Sequence, residues 1–293
     1  MLQTLKRIAK GILQVQSNVL HQIDLLRHAK NLPPLNPSEQ AIVAACRQEG
    51  VYITSLEAIE NPATAPMLKA AEQQLAVMEV MATRAAQGQK LGTVEHPALP
   101  QIFTVTDLPE FSNWGRDPRM LRLVENYVGL PIAFQGVHLR RDFANEKPVT
   151  TELWHRDDED RRIIKVFIYL TEVGAENRPF EYIPRSRVSR LKTRQILSKI
   201  TASRKAARLG INDAGMAMLI PQSEWRACPC PAGTVVFADT RSVFHHGKSR
   251  RLSRSAIFFV YTAATPLHPE FCTQYNDQTF ARPEMLSEVT PVG

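Results

Sequence analysis

Apolar residues recur at steps of three and four through the first thirty positions. Leu2, Leu5, Ile8, Ile12, Val15, Val19, Ile23 and Leu26 form the stripe of an amphipathic helix. Leu32-Pro33-Pro34-Leu35 ends that helix. Asn36-Pro37-Ser38-Glu39 then offers an N-cap, a first-turn proline and an N3 glutamate, so a second helix is expected to about Gln48, with Gly50 as its stop. Val51 to Thr54 reads as a first strand. An alanine-rich helix is expected from about Met67 to Gln87, closed by Gly88, and another from Asp117-Pro118 to Gly129. From Ile132 the period changes. Ile132–Arg140, Ile163–Leu170, Phe180–Ile183, Gly233–Ala238 and Arg254–Thr262 are short runs of β-branched and aromatic residues separated by turns. The series predicts a mainly β fold with flanking helices, built as a two-sheet antiparallel jelly roll. From Pro266 onward Pro269, Pro283 and Pro291 predict irregular chain wrapping the surface. Two parts are expected: a helical extension over residues 1–34, and a β domain over residues 35–293 interrupted by a basic insertion at about 185–212.

Composition narrows the class. Hydrophobic residues make up 44% and charged residues 22%, as in an ordinary globular enzyme, and no apolar run approaches the roughly 18 residues of a membrane span. The four cysteines are scattered, and Cys228-Pro229-Cys230 lacks the second pair that a zinc site would need. No secretory signal precedes them, so free thiols and a cytoplasmic location are expected. The net charge of +7 is uneven. Between Glu181 and Asp213 there is no acid, while Arg185, Arg187, Arg190, Lys192, Arg194, Lys199, Arg204, Lys205 and Arg208 all fall there. This block reads as a solvated helical insertion, or as a basic lid over an active-site mouth for an anionic or carrier-linked substrate. With no aromatic residue interleaved from Arg185 to Arg208, it lacks the stacking platform that nucleic acid requires. The first helix, with Lys6, Arg7 and Lys10, is expected to pack on its own domain or on a second copy, or else to touch an anionic membrane surface or act as a targeting peptide.

Chemistry concentrates in Trp154-His155-Arg156-Asp157. His155 and Asp157 are two residues apart, the spacing that turns two side chains to one face of an extended strand. Downstream, the run from Asp239 to Gly247 contains adjacent His245 and His246, and either one could supply a third donor. Two imidazoles and one carboxylate are the ligand set of a non-haem Fe(II) facial triad, which leaves positions open for substrate and dioxygen. Asp158, Glu159 and Asp160 read as a solvated acidic turn. Arg254 opens a strand, whereas Arg250 and Arg251 lie in a polar turn, so Arg254 is the favoured clamp for a carboxylate of a dicarboxylic co-substrate. Ser255 or Tyr169 could add a hydroxyl. Lys165, Phe167 and Tyr169 share one strand face, whose direction the sequence leaves open. Trp154 and Gln135 are candidates for the pocket lining, and His138 reads as structural.

The ordered set Trp154-His155-x-Asp157, Arg178-Pro179-Phe180-Glu181-Tyr182-Ile183-Pro184-x-Ser186, Pro231-Ala232-Gly233-Thr234-Val235-Val236-Phe237-x-Asp239, His245-x-Gly247 and Arg254 resembles the phytanoyl-CoA dioxygenase-like branch of the Fe(II)/2-oxoglutarate oxygenases. The resemblance spans roughly residues 38 to 265. It implies a double-stranded β-helix, Fe(II) on His155, Asp157 and His245, and 2-oxoglutarate on Arg254. It also favours His245 over His246, because the ligand precedes a glycine by two residues. Hydroxylation of a small or carrier-linked substrate, with release of succinate and CO₂, is the implied activity. Arg185 and Arg187 depart from the family pattern, which has glycine and histidine there. The rival readings are a non-catalytic jelly roll that binds an anionic partner through residues 185–208, and a cupin-type metalloenzyme that does not use 2-oxoglutarate.

Overall fold

The computed structural model describes residues 2–87, 101–144, 152–205, 210–247 and 251–283. Gly88, Arg208, Arg250, Pro291 and the side chains of residues 2–14 lie outside the described residues.

Helices lead. The chain begins with α1 (Leu2–His28), α2 (Pro37–Gln48), a first strand β1 (Val51–Ser55), α3 (Leu56–Ile59) and α4 (Thr64–Ala86). The capping box of α2 forms as expected: the Asn36 side chain accepts from the Glu39 N–H, and Glu39 accepts from the Asn36 N–H. Next come β2 (Gln101–Thr104), α5 (Pro109–Gly115), α6 (Pro118–Val128), β3 (Ile132–Asp142), β4 (Ile164–Tyr169) and β5 (Glu181–Ile183). The last part holds α7 (Arg190–Lys205), α8 (Asp213–Ala217), β6 (Arg226–Ala227), β7 (Thr234–Asp239), β8 (Phe244–His246) and β9 (Arg254–Ala263). β2 and α5 went unanticipated, being too short to show a period.

Six strands form an antiparallel sheet in the order β1-β7-β4-β9-β3-β2, and a smaller sheet has the order β6-β5-β8. The large sheet is buried on both faces, which is why its strands read as nearly continuous apolar runs. Ile164, Val166, Ile168, Val235, Phe237, Ile257, Phe259 and Tyr261 face helices α2 and α4 to α6 in the main core. Alternation sends Phe167, Tyr169, Val236, Ala238 and Ala256 to the opposite face, against Phe180 and Tyr182 of the small sheet. The outer side of the small sheet is covered by the insertion. In α7, Ile196 and Ile200 are spaced one turn apart and pack with Trp154, Phe244 and Trp225. The insertion is thus anchored by its apolar stripe as well as solvated by its charges.

α1 differs from expectation in which face it presents. Ser17, His21, Leu25 and His28 turn towards the rest of the chain, while Val15, Val19, Leu20 and Leu26 are exposed, Leu26 to 74%. Polar contacts attach it: His28 to Glu125 at 2.7 Å, and the Arg161 guanidinium donating to the Ser17 hydroxyl at 2.6 Å. The apolar stripe therefore points away from the domain over its described length.

Candidate metal centre and co-substrate pocket

A single antiparallel bridge brings the candidate donors together. The His155 N–H donates to the His245 carbonyl at 3.0 Å, and the His245 N–H returns a bond to the His155 carbonyl at 3.1 Å. The two rings lie 4.4 Å apart by centroid. Asp157 is held by its own N–H, which donates to the Thr240 carbonyl at 3.1 Å. Its Oδ1 stands 3.6 Å from His155 Nε2 and 3.9 Å from His245 Nε2, and one donor atom from each of the three residues lies within 4.8 Å of the others.

The donor chemistry suits a divalent cation. Each imidazole donates Nδ1–H to a nearby carbonyl, His155 to Leu153 at 2.6 Å and His245 to Val243 at 3.3 Å. That assignment leaves both Nε2 lone pairs facing Asp157. Burial pushes the His155 pKa down, and burial with the neighbouring His155 pushes that of His245 down to about 3, so both rings are neutral and able to ligate. Burial alone would raise the Asp157 pKa. Lys165, whose ammonium is 2.7 Å from Oδ2, and the two histidines more than reverse this, holding the carboxyl below the usual carboxylate range. One carboxylate oxygen thus faces the imidazoles and the other is bound by a lysine.

Lys165 is the functional residue that sequence reasoning left undecided. It bridges Asp157 and Glu159, the latter at 3.2 Å, and both carboxylates raise its pKa against the opposing effect of burial. Lys165, Phe167 and Tyr169 all line the cavity beside the triad, so that strand face points inward. A lone lysine in an otherwise apolar, two-face-buried strand was the available signal, since such a charge must find a partner. Glu159 and Asp160 correct the expectation of a solvated acidic turn. Both are buried: Glu159 also accepts from the Tyr275 hydroxyl, and Asp160 accepts from the N–H groups of Ala263 and Leu267. Asp158 instead pairs with Arg241.

The cavity has a volume of about 220 Å³. Arg254 lines it, with Nε donating to Asp142 at 2.8 Å and the guanidinium donating to the Arg178 carbonyl. Arg140 lines the same space and also binds Asp142. Arg251 is 83% exposed and pairs with Glu176, away from the cavity. The Tyr169 hydroxyl accepts from the Phe180 N–H at 3.0 Å at the cavity edge. Ser255 is not brought to the site. Its neighbours Arg254 and Ala256 face inward, so strand alternation turns the Ser255 hydroxyl to the far side, where it accepts from Arg141 at 3.3 Å.

His246 is occupied elsewhere: Nε2 meets Glu181 at 2.8 Å, Nδ1 meets the Glu152 carbonyl at 3.0 Å, and the ring stacks on Trp154. Trp154 is core, donating to Asp213 at 2.9 Å, and Gln135 donates to Thr262 at 2.7 Å; neither lines the cavity. His138 does line it, packed against Tyr275 and Phe280, which with Gln274 supply a wall from the C-terminal segment. Gly136 makes that wall fit. At φ +146° it carries a β-bulge, and a Cβ there would lie 2.7 Å from the Tyr275 carbonyl. Among the described residues, none of the basic block 185–208 lines this cavity.

A jelly roll that gathers two neutral imidazoles and a carboxylate beside a half-buried arginine has the architecture of a non-haem iron oxygenase. A family model described as phytanoyl-CoA dioxygenase (PhyH) matches residues 56–253, and the chain belongs to that family. It is an Fe(II)- and 2-oxoglutarate-dependent oxygenase acting with dioxygen on a small molecule. Among solved structures, iron-bound EctD from S. alaskensis is 16% identical, with 78% of this chain and 77% of that chain covered at a TM-score of 0.50. HygX from Streptomyces hygroscopicus, solved with nickel and 2-oxoglutarate, is 12% identical over 79% of this chain and 88% of that chain, with a TM-score of 0.49. The non-haem α-ketoglutarate-dependent epimerase SnoN of nogalamycin biosynthesis is 16% identical over 84% and 92%, with a TM-score of 0.46. Comparison with curated proteins gives no match.

Proposed function

We propose that His155, Asp157 and His245 hold Fe(II), that Arg254 engages the far carboxylate of 2-oxoglutarate, and that the chain hydroxylates a small organic substrate. The observation that carries this reading is the convergence of two Nε2 atoms and one Oδ1 within 4.8 Å, beside a cavity that also holds Arg254. When bound, iron and 2-oxoglutarate supply the oxidant: one oxygen atom of O₂ enters succinate as CO₂ leaves, and the other enters a substrate C–H bond.

The chain's own residues orient and shield. Lys165 keeps the Asp157 carboxylate ionised and turned so that Oδ1 faces the imidazoles. The Leu153 and Val243 carbonyls fix both rings with Nε2 inward. Phe167, Phe180, Phe258 and Phe280 line the cavity and exclude water, which favours a substrate with an apolar portion. Arg140, on the same wall, would meet an acidic group on that substrate. Four free cysteines fit a reducing compartment such as the cytoplasm, and no described helix is long and apolar enough to cross a membrane. Residues 1–34 form a helical extension to the oxygenase domain of residues 35–293.

The test is anaerobic titration of the chain with Fe(II) and 2-oxoglutarate, followed by a metabolite panel scored for succinate. A visible metal-to-ligand charge-transfer band is expected in the wild type and not in Asp157→Ala. Oxygen consumption without succinate would move the protein to the cupin-type alternative, and no band would leave a binding module.

A further inference from the structure

Behind the triad lies a second cavity of about 330 Å³ that shares no lining residue with the first. The alternation that turns His155 and Asp157 inward turns Arg156 outward, and its guanidinium lies over the ring of Phe244, the residue before His245, at 5.4 Å. Arg161 and Arg162 join it from the chain leading into β4, Arg185 from the turn after β5, and Arg190 and Thr193 from the first turn of α7. Arg156, Arg161 and Arg162 are half-buried in the floor, and the exposed Arg185 and Arg190 stand at the rim.

Five arginines line one small space, and none of their guanidiniums forms an ion pair with a described carboxylate. Arg156 donates to the Arg241 carbonyl, Arg161 to the Ser17 hydroxyl, Arg162 to the Tyr127 and Val128 carbonyls at 2.9 Å, and Arg185 to the Arg47 carbonyl at 3.3 Å. Among the described residues no carboxylate comes within 4.0 Å of any of the five. The one carboxylate in the lining, Asp239, is buried and already committed. It accepts from the Tyr127 hydroxyl and, at 3.1 Å each, from the N–H groups of Arg241 and Ser242. Carbonyls and a hydroxyl hold four of the guanidiniums, and the two carboxylates that act on Arg156, Asp239 and Asp158, are themselves engaged by Tyr127 and Arg241, so the cluster keeps a net positive charge. Mutual repulsion in a partly desolvated space is relieved by an anion with several acceptor oxygens, and guanidinium forks match phosphate oxygens two at a time.

We propose that this cavity is a binding site for a phosphoryl anion, separate from the metal and co-substrate pocket. The phosphoryl group has two sources compatible with the surroundings. One is a soluble phosphate or pyrophosphate ester. The other is a lipid headgroup, since α1, whose exposed face carries Val15, Val19, Leu20 and Leu26, is tied to the same cluster through Ser17 and Arg161.

The test is calorimetric titration of the full chain with inorganic phosphate and then pyrophosphate at fixed ionic strength. Three proteins are compared: wild type, the rim double variant Arg185→Gln/Arg190→Gln, and Arg254→Gln. One saturable pyrophosphate site is expected in wild type and in Arg254→Gln. A weakening of about tenfold or more, the scale of two lost charge-assisted contacts, is expected in the rim variant. Absence of saturable binding, equal binding by the rim variant, or loss in Arg254→Gln would overturn the site, the last because the anion would then occupy the co-substrate pocket. A parallel sedimentation with phosphatidylcholine vesicles, with and without phosphatidic acid, separates the sources. Capture by phosphatidic acid that pyrophosphate reverses assigns the lipid headgroup, and pyrophosphate binding without capture assigns a soluble ligand. Neither outcome depends on iron, so the site stands or falls apart from the proposed reaction.

Discussion

The two cavities lie on opposite sides of one stretch of backbone and treat charge in opposite ways. On the inner side each cation meets a carboxylate: Lys165 meets Asp157 and Glu159, and Arg254 and Arg140 meet Asp142. On the outer side, of five arginines around one cavity, Arg156, Arg161, Arg162 and Arg185 rest on neutral oxygens. Charge that is paired within the chain positions donors before any ligand arrives, because each ionic side chain is held by its partner. Charge left unpaired specifies instead what must come from outside. The same alternation of a short extended segment produces both results, since neighbouring side chains leave on opposite faces.

The largest expected effect on this contrast comes from Lys165→Met. Removing one member of a buried ionic group leaves Asp157 and Glu159 uncompensated, so urea unfolding of the metal-free chain should show a loss of about 3–5 kcal/mol. A loss below about 1 kcal/mol would mean that the inner pairing is not what holds the carboxylates. Arg254→Leu should weaken 2-oxoglutarate binding by roughly tenfold to a hundredfold in an equilibrium titration, the cost of hydrogen bonds to a charged group. Unchanged affinity would transfer the clamp to Arg140.

His138 gives the contrast a pH signature. Burial pushes its pKa down to about 4, against 6.5 for the free side chain, so the unfolded chain binds the extra proton first. Stability from this group is therefore complete above about pH 6.5 and falls as pH drops towards 4, by on the order of 1.4 kcal/mol per unit at most. His138→Phe should flatten the wild-type decline between pH 6.5 and pH 4 in parallel denaturation curves. Coincident slopes would place the proton elsewhere. The smallest effect belongs to the outer side. Arg190→Gln should change unfolding stability by no more than about 0.5 kcal/mol, because no carboxylate depends on it. A loss comparable to that of Lys165→Met would erase the distinction between the two sides.

Much of the frame was readable from the chain, because capping residues and two-residue alternation are local. The α2 capping box, the long strands and the His155/Asp157 spacing all lie within a few residues of one another. What escaped depends on distant partners. Periodicity divides β4 into two faces, yet both are buried, and only the packing of helices on one side and the small sheet on the other assigns Lys165 to the cavity. Glu159 looked solvated until Lys165 and Tyr275 were brought to it. Likewise His245 and His246 are distinguished by what waits for each imidazole: Asp157 for the former, Glu181 and the Glu152 carbonyl for the latter.

The wall formed by Gln274, Tyr275 and Phe280 has a consequence for how the molecule is made. Every proposed metal donor and the arginine clamp are encoded by residue 254, but this wall is translated afterwards and reaches the cavity only by docking on the bulge at Gly136. A nascent chain halted just beyond Ala263 would carry its full set of donors with one side of the chamber open to bulk solvent. Closure of that chamber thus follows completion of the donor set, and removal of Gln274 to Phe280 would take one wall from the chamber without touching a proposed metal donor.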